Sequence, residues 1–263
     1  MIQATNIYLG NEEITAAYLG DIKVWGGSQP IVENNVIYYL STNEKIVEPY
    51  RTDGFGVNIV SNTYKDGQGK IVFDGDVTSI GDMAFYGCNL LTFIILPPTV
   101  SSIGEDAFKY CLSLKSINIP ESVTGIGSYA FDNCVSLKSV IIPSTVTTIE
   151  YGTFIDCTAL ESVTISKGVK YIDKYGFYDC IALKSVIIPS TVTFIGDFAF
   201  SNCRILSDIY CEGVVAPSVD DNTFKDIKAG GTLHYPAGSD YSTWLSNGIY
   251  YLGHYNWTGV ADL

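Results

Sequence analysis

The sequence predicts a solenoid, and three regularities carry the prediction. Isoleucines fall 23 residues apart at Ile80, Ile103, Ile126, Ile149, Ile172 and Ile195. Each is followed by a phenylalanine at the fifth position (Phe85, Phe108, Phe131, Phe154, Phe177, Phe200), a cysteine at the eighth (Cys88, Cys111, Cys134, Cys157, Cys180, Cys203) and a leucine at the eleventh (Leu91, Leu114, Leu137, Leu160, Leu183, Leu206). Residues 137–147 and 183–193 are the same string, LKSVIIPSTVT, two units apart, as duplication of a two-unit block would leave behind. A unit this short cannot bury an apolar face alone, so copies stack and cover one another.

The unit 126–148 shows how a coil is built. Ala130, Phe131 and Cys134 share one apolar face at helical spacing, which predicts a short helix of a single turn. Residues 137–142 are rich in β-branched side chains and end at Pro143, which lacks a backbone donor and stops a ladder. Along that strand Val140 and Ile142 point one way, Ser139 and Ile141 the other. A second short strand, 146–149, leads into the next coil. Residues 69–217 form the solenoid proper: a half-unit cap and six full units. Ile71, Phe73 and Val77 lie 23 residues before Ile94, Leu96 and Val100, so 69–79 reads as the strand half of a coil. From Ser218 the isoleucine is lost and Phe224 arrives one position late, which marks 218–263 as a C-terminal cap rich in aromatics.

The repeated motif I-G-x-x-A-F-x-x-C-x-x-L-x-x-[IV]-x-I-P resembles the BspA-like, or treponemal-type, leucine-rich repeat over roughly 69–224. Glu150 and Asp173 replace its glycine, Thr153 and Gly176 its alanine, and Glu212 its last proline. The resemblance implies a leucine-rich repeat fold without enzymatic activity, used for adhesion and for recognition of protein or glycan.

Two segments precede the repeats. Residues 1–30 hold a tandem element, Ile7-Tyr-Leu-Gly-Asn-Glu-Glu-Ile14 and Ala17-Tyr-Leu-Gly-Asp-Ile-Lys-Val24, each half reading as a β-hairpin, before the linker Gly26-Gly-Ser-Gln-Pro30. This element resembles short modules at the start of phage and prophage tail proteins. Residues 31–68 read as a small β-rich segment, with 36–40 and 45–47 flanking a turn at 41–44.

Composition narrows the function. The formal charge of -13 opposes nucleic acid and anionic membrane as partners. The seven cysteines read as reduced core thiols, since six share one repeat position and Cys211 stands where other units place Ile or Leu. That ladder reads as apolar, with no partner to offer a hydroxyl put in place of a thiol. No apolar run is long enough to span a membrane. The start Met-Ile-Gln-Ala-Thr-Asn lacks the basic and apolar regions of a signal peptide, which predicts synthesis without export or a replaced leader.

Catalytic signals are weak. His234 and His254 lack metal-ligand spacing. Gly125-Ile-Gly-Ser-Tyr-Ala130 matches a dinucleotide fingerprint only because the repeat places those residues, and Asp74-Gly-Asp76 lacks a full set of calcium ligands. Asn256-Trp-Thr258 is a formal glycosylation sequon. No enzyme activity, cofactor or metal is expected. The candidate binding surface is the outward face of the strand ladder: one column with Phe93, Ser139, Ser185 and Asp208, and beside it Ile95, Asn118, Ile141, Thr164, Ile187 and Tyr210. A second candidate is the aromatic cap, where Tyr235, Tyr241, Trp244, Tyr251 and Trp257 could stack on sugars, form a capping core or meet another copy. The expected function is recognition by a virion-associated protein, such as a phage tail or fibre component contacting the host surface or another virion protein. The alternative is a secreted or cell-surface bacterial adhesin that binds host protein or glycan. Homo-oligomers are a further option, and membrane insertion is not expected.

Overall fold

The structure, a computed structural model, describes residues 33–248 and 251–261 and, before them, four short strands. Those strands pair as two antiparallel hairpins, Ile7–Leu9 with Glu12–Ile14 and Tyr18–Leu19 with Ile22–Lys23, as the tandem element predicts. Two parallel ladders then climb the array. The outer one comes in three paired groups: Leu91–Ile95 with Ser116–Asn118, then Ser139–Ile142 with Ser162–Ile165, then Ser185–Ile188, Asp208–Cys211, Thr232–Tyr235 and Thr258–Ala261. The other is made of two-residue strands from Ser79–Ile80 to Ser218–Val219. Register follows the repeat, with Val140 beside Val163 and Ile149 beside Ile172.

The third side of each coil is where the structure departs from expectation. The predicted single-turn helix is absent, and consecutive turns stand in its place. Two residues per coil adopt left-handed backbone, for example Tyr129 (φ 57) and Asn133 (φ 58), which no α-helix accommodates. The reason lies in where the amides point. Tyr129, Phe131 and Asn133 donate to the carbonyls of Tyr151, Thr153 and Ile155 in the next coil, at 2.9–3.0 Å. The intervening Ala130, Asp132 and Cys134 donate three residues back, to Gly127, Tyr129 and Phe131. Half of the amides thus tie one coil to the next, and a helix would have consumed them internally. Coils also touch backbone to backbone, which explains the repeat glycine: a Cβ on Gly127 would lie 2.6 Å from the Glu105 nitrogen.

The core is a set of columns. Phe85, Phe108, Phe131, Phe154, Phe177 and Phe200 stack with centroids 5.3–5.4 Å apart and planes within 11°. All seven cysteines are buried and unbridged. Their surroundings are not wholly apolar, however. The Cys134 thiol donates to the Phe108 carbonyl one coil back at 3.2 Å, and Cys111, Cys157, Cys180 and Cys203 do likewise with the preceding phenylalanine. Burial drives the thiols well above their ordinary pKa, that of Cys88 to about 12. They remain protonated donors and poor nucleophiles.

Both ends differ from the simple caps the sequence predicts. Val77 and Ser79–Ile80 keep the repeat register, the Val77 carbonyl accepting from Thr99 as that of Val100 does from Ser122. Ile71 and Phe73 do not lie beside the first full coil. Val36–Ser41 inserts there, antiparallel to Leu91–Ile95 on one side and to Gln68–Phe73 on the other. Residues 45–47, expected as its hairpin partner, form no strand. Val47 instead donates to the Tyr39 hydroxyl and accepts from the Asn62 amide. The hairpin present joins Ile59–Lys65 to Gln68–Phe73. Residues 33–68 therefore pack on the solenoid. Phe55 closes the phenylalanine column 5.7 Å from Phe85, and the Cys88 thiol donates to the Glu48 carbonyl. At the other end Phe224 extends the column 6.2 Å beyond Phe200, and Trp244 covers it.

Phe55→Ala is expected to cost about 3–5 kcal/mol in denaturant unfolding, as for a fully buried core aromatic. A cost under about 1 kcal/mol would mean that residues 33–68 only rest on the array. Because the thiol has an acceptor, Cys134→Ser should cost less than Cys134→Ala, which removes the donor and leaves a void. The reverse order by the same measurement would show that the Phe108 carbonyl does not accept from the side chain.

Candidate functional site

Alternation along each outer strand turns one set of side chains into the core and leaves the other set on a flat face. In Ser139–Ile142 and Ser185–Ile188, Val140, Ile142, Val186 and Ile188 are buried, while Ile141 is 41% and Ile187 51% exposed. Thr164 is Ile141's neighbour in the next coil, and Ile187 pairs with Tyr210. Ser162 and Ser185 are exposed in the adjoining column, with Ser139 half-buried. The centre of the predicted surface is thus two aliphatic side chains and a threonine over a row of serines.

Toward both ends the columns change character. Ile95, expected on the exposed face, is only 7% exposed, flanked by Tyr38 of the inserted strand and by Asn118. Phe93 is half-buried opposite Leu40. The Asn118 amide accepts from the Leu96 nitrogen at 2.8 Å, which pins it to its own array. At the carboxyl end Tyr210 stacks on His234 at 4.2 Å, and His234 lies 3.5 Å from Asp208. The columns continue past the predicted boundary through Thr232 and Thr258, and through His234 and Val260. An exact 23-residue search misses these coils because the steps lengthen, from Asp208 to Thr232 and again to Thr258. Their signal is the strand pattern Thr-Leu-His-Tyr.

The cap aromatics are mostly inside. Tyr241 (2% exposed), Trp244 (1%) and Trp257 (5%) are buried, and each donates to the preceding coil: Tyr241 to Gly213, Trp244 to Pro217, Trp257 to Lys228. Tyr235 packs partly buried on the core, and the Tyr251 hydroxyl donates to Asp221. Their geometry suits a capping core better than a sugar platform.

Charge is divided between the faces. Many carboxylates lie in the turn segments, among them Asp82, Glu105, Asp106, Asp132, Asp156, Asp173 and Asp179. Lys109 bridges Asp106 and Asp132 at 3.1 Å each and lies 4.6 Å over the Tyr129 ring. Burial opposes its charge, but those two hydrogen bonds outweigh it and raise the ammonium's pKa. The strand face carries the opposite balance, with exposed Lys115, Lys138 and Lys184 beside the serine column and Glu161 among them. Among the described residues no group of His, Cys, Asp or Glu could hold a metal ion.

A family model described as a BspA type leucine-rich repeat region, in six copies, matches residues 59–180 and 147–236. The chain belongs to the BspA-type leucine-rich repeat family. Among solved structures, a leucine-rich repeat protein of T. pallidum is 36% identical over 52% of this chain and 64% of its own, with a TM-score of 0.50. A leucine-rich cell surface protein of Faecalibacterium prausnitzii is 25% identical over 68% of this chain and 62% of its own, with a TM-score of 0.44. The match thus spans less than two thirds of either protein. A comparison with curated proteins finds no match. The family model begins at residue 59, so the tandem element behind the virion expectation lies outside it. No helix among the described residues is long and apolar enough to cross a membrane.

The turn face yields a test of the charge distribution. Burial, with Asp179 and Asp132 as neighbouring charges, raises the Asp156 carboxyl above its ordinary pKa. Burial also raises that of Asp179, against the pull of Arg204. A carboxyl whose folded pKa is raised destabilises the native state once ionised, and the penalty disappears below its unfolded pKa. Asn suits the backbone, since Asn133 and Asn202 hold the same left-handed position. Asp156→Asn should therefore raise the melting temperature near pH 7 and leave it nearly unchanged near pH 3. An equal rise at both would assign the gain to backbone preference.

Proposed function

We propose that this chain is the recognition part of a cell-surface or secreted bacterial protein, holding a host protein or glycan against its outward strand face. The observation that carries the reading is the exposure of Ile141 and Ile187 on strands held by parallel pairing, Ser139–Ile142 to Ser162–Ile165 and Ser185–Ile188 to Asp208–Cys211. Aliphatic side chains on a rigid face lose little freedom when a partner covers them, and exposed apolar patches of this kind mark interaction sites. Membership of the BspA-type family supports it, because such repeats occur typically in surface or secreted proteins without enzymatic activity. The serine rows add hydroxyl donors and acceptors at regular intervals, which suits polar recognition alongside the apolar contact.

The test is Ile141→Asp combined with Ile187→Asp. Both side chains face away from the core, so charging them opens no cavity, and thermal unfolding should shift by no more than about 0.5 kcal/mol each. Binding of the labelled protein to an array of extracellular matrix proteins and glycans should disappear, because a partner would have to desolvate two carboxylates. Binding retained by a folded double variant would move the recognition site off this face.

A further inference from the structure

We infer that the partner of the strand face is an acidic polypeptide segment in polyproline conformation, lying along the solenoid axis across the strands of four coils. The inference rests on the proposed recognition role of this face and names the chemistry it selects.

Charge is the first argument. The chain carries 15 Lys and Arg against 28 Asp and Glu. Against that excess, Lys115, Lys138 and Lys184 line one margin of the face, all exposed. Lys115 and Lys138 make no ion pair among the described residues, and Lys184 meets Glu161 at 3.2 Å in an exposed pair. Three ammonium groups beside the aliphatic column are complementary to carboxylates on a ligand.

Spacing is the second. The duplicated string gives this face a period of two coils, so Ile141 and Ile187 recur with Thr164 between, as do Lys138 and Lys184 with Glu161 between. Parallel strands stack at about 4.8 Å, so like groups repeat every ~9.6 Å along the axis. A polyproline helix returns to the same face every third residue, a step of about 9.3 Å. An extended strand, whose side chains return to one face every ~6.6 Å, does not match. A segment with an aliphatic residue at every third position would seat successive side chains on Ile141 and Ile187. Its neighbouring acidic positions would lie over the lysines, and the serines would meet its backbone.

The middle of the face supplies the third argument. Between Ser139 and Ile187 its outward side chains are Ile, Thr and Ser, with no aromatic ring. Sugar rings are held chiefly by stacking on aromatic faces, so this composition favours a polypeptide over a glycan.

The experiment titrates the full chain with a synthetic (Ile-Glu-Pro)4 peptide, a scrambled peptide of the same composition, and a soluble polyuronate. The ordered peptide should bind about tenfold or more tightly than the scrambled one, with affinity falling as salt rises. Lys138→Glu with Lys184→Glu should lower that affinity about tenfold or more while Lys228→Glu, in the cap, leaves it unchanged. Equal binding of the two peptides, or binding of the polyuronate alone, would overturn the inference. If Ile141→Asp with Ile187→Asp removes binding to the protein and glycan array yet no peptide competes, the recognition role stands and the polypeptide assignment falls.

Discussion

A coil of 23 residues has no interior of its own, so the array depends on the hydrogen bonds that carry its backbone from one coil to the next. On the strand sides these are parallel ladders, and on the turn side they are the alternating amides typified by Tyr129, Phe131 and Asn133. Those amides dictate much else. They demand left-handed residues at two places per coil, they bring backbones close enough to require glycine at 127, and they align the phenylalanines into one stack. The thiol column follows as well. Five cysteine thiols donate to the phenylalanine carbonyl of the preceding coil, and for Cys134 that carbonyl also serves the preceding coil's cysteine: Phe108 accepts from the Cys111 amide and the Cys134 thiol.

Much of this was legible because a repeat shows its core directly. Ile, Phe, Cys and Leu at fixed steps are all buried, and the in-and-out alternation of Val140, Ile141 and Ile142 matches their exposure. The turn side was misread for a specific reason. Ala130, Phe131 and Cys134 have helical spacing, and spacing alone does not tell an amide bonded within its turn from one bonded to another coil. The left-handed positions were visible only as a drift toward Asn and Asp at 133, 156, 179 and 202. The first coil was misread because a register copied from the repeat cannot anticipate an inserted antiparallel strand. A local signal did exist in Asp66-Gly67, whose positive φ values of 51 and 79 form the tight turn between Ile59–Lys65 and Gln68–Phe73.

The proposed binding face shows the same division. Its central columns follow from alternation, but the burial of Ile95 depends on Val36–Ser41, a strand distant in sequence that covers the first coil. The lysine margin lies one residue outside the strands and belongs to no apolar pattern, so periodicity passes over it. On the proposed reading, specificity resides in the positions the repeat leaves free to vary, while the residues that make the repeat recognisable are occupied in holding the coils together.

The coil-to-coil bonds also govern how the molecule responds to force. A pull between the ends acts along those bonds and loads them one coil at a time, so the array yields by peeling. Each coil set free contributes 23 residues of slack, about 75–80 Å of extended chain. It also brings one thiol into water, where its pKa returns toward the free value and its sulfur becomes reactive. Stretching would thus be recorded chemically, as a count of alkylatable cysteines that rises with extension.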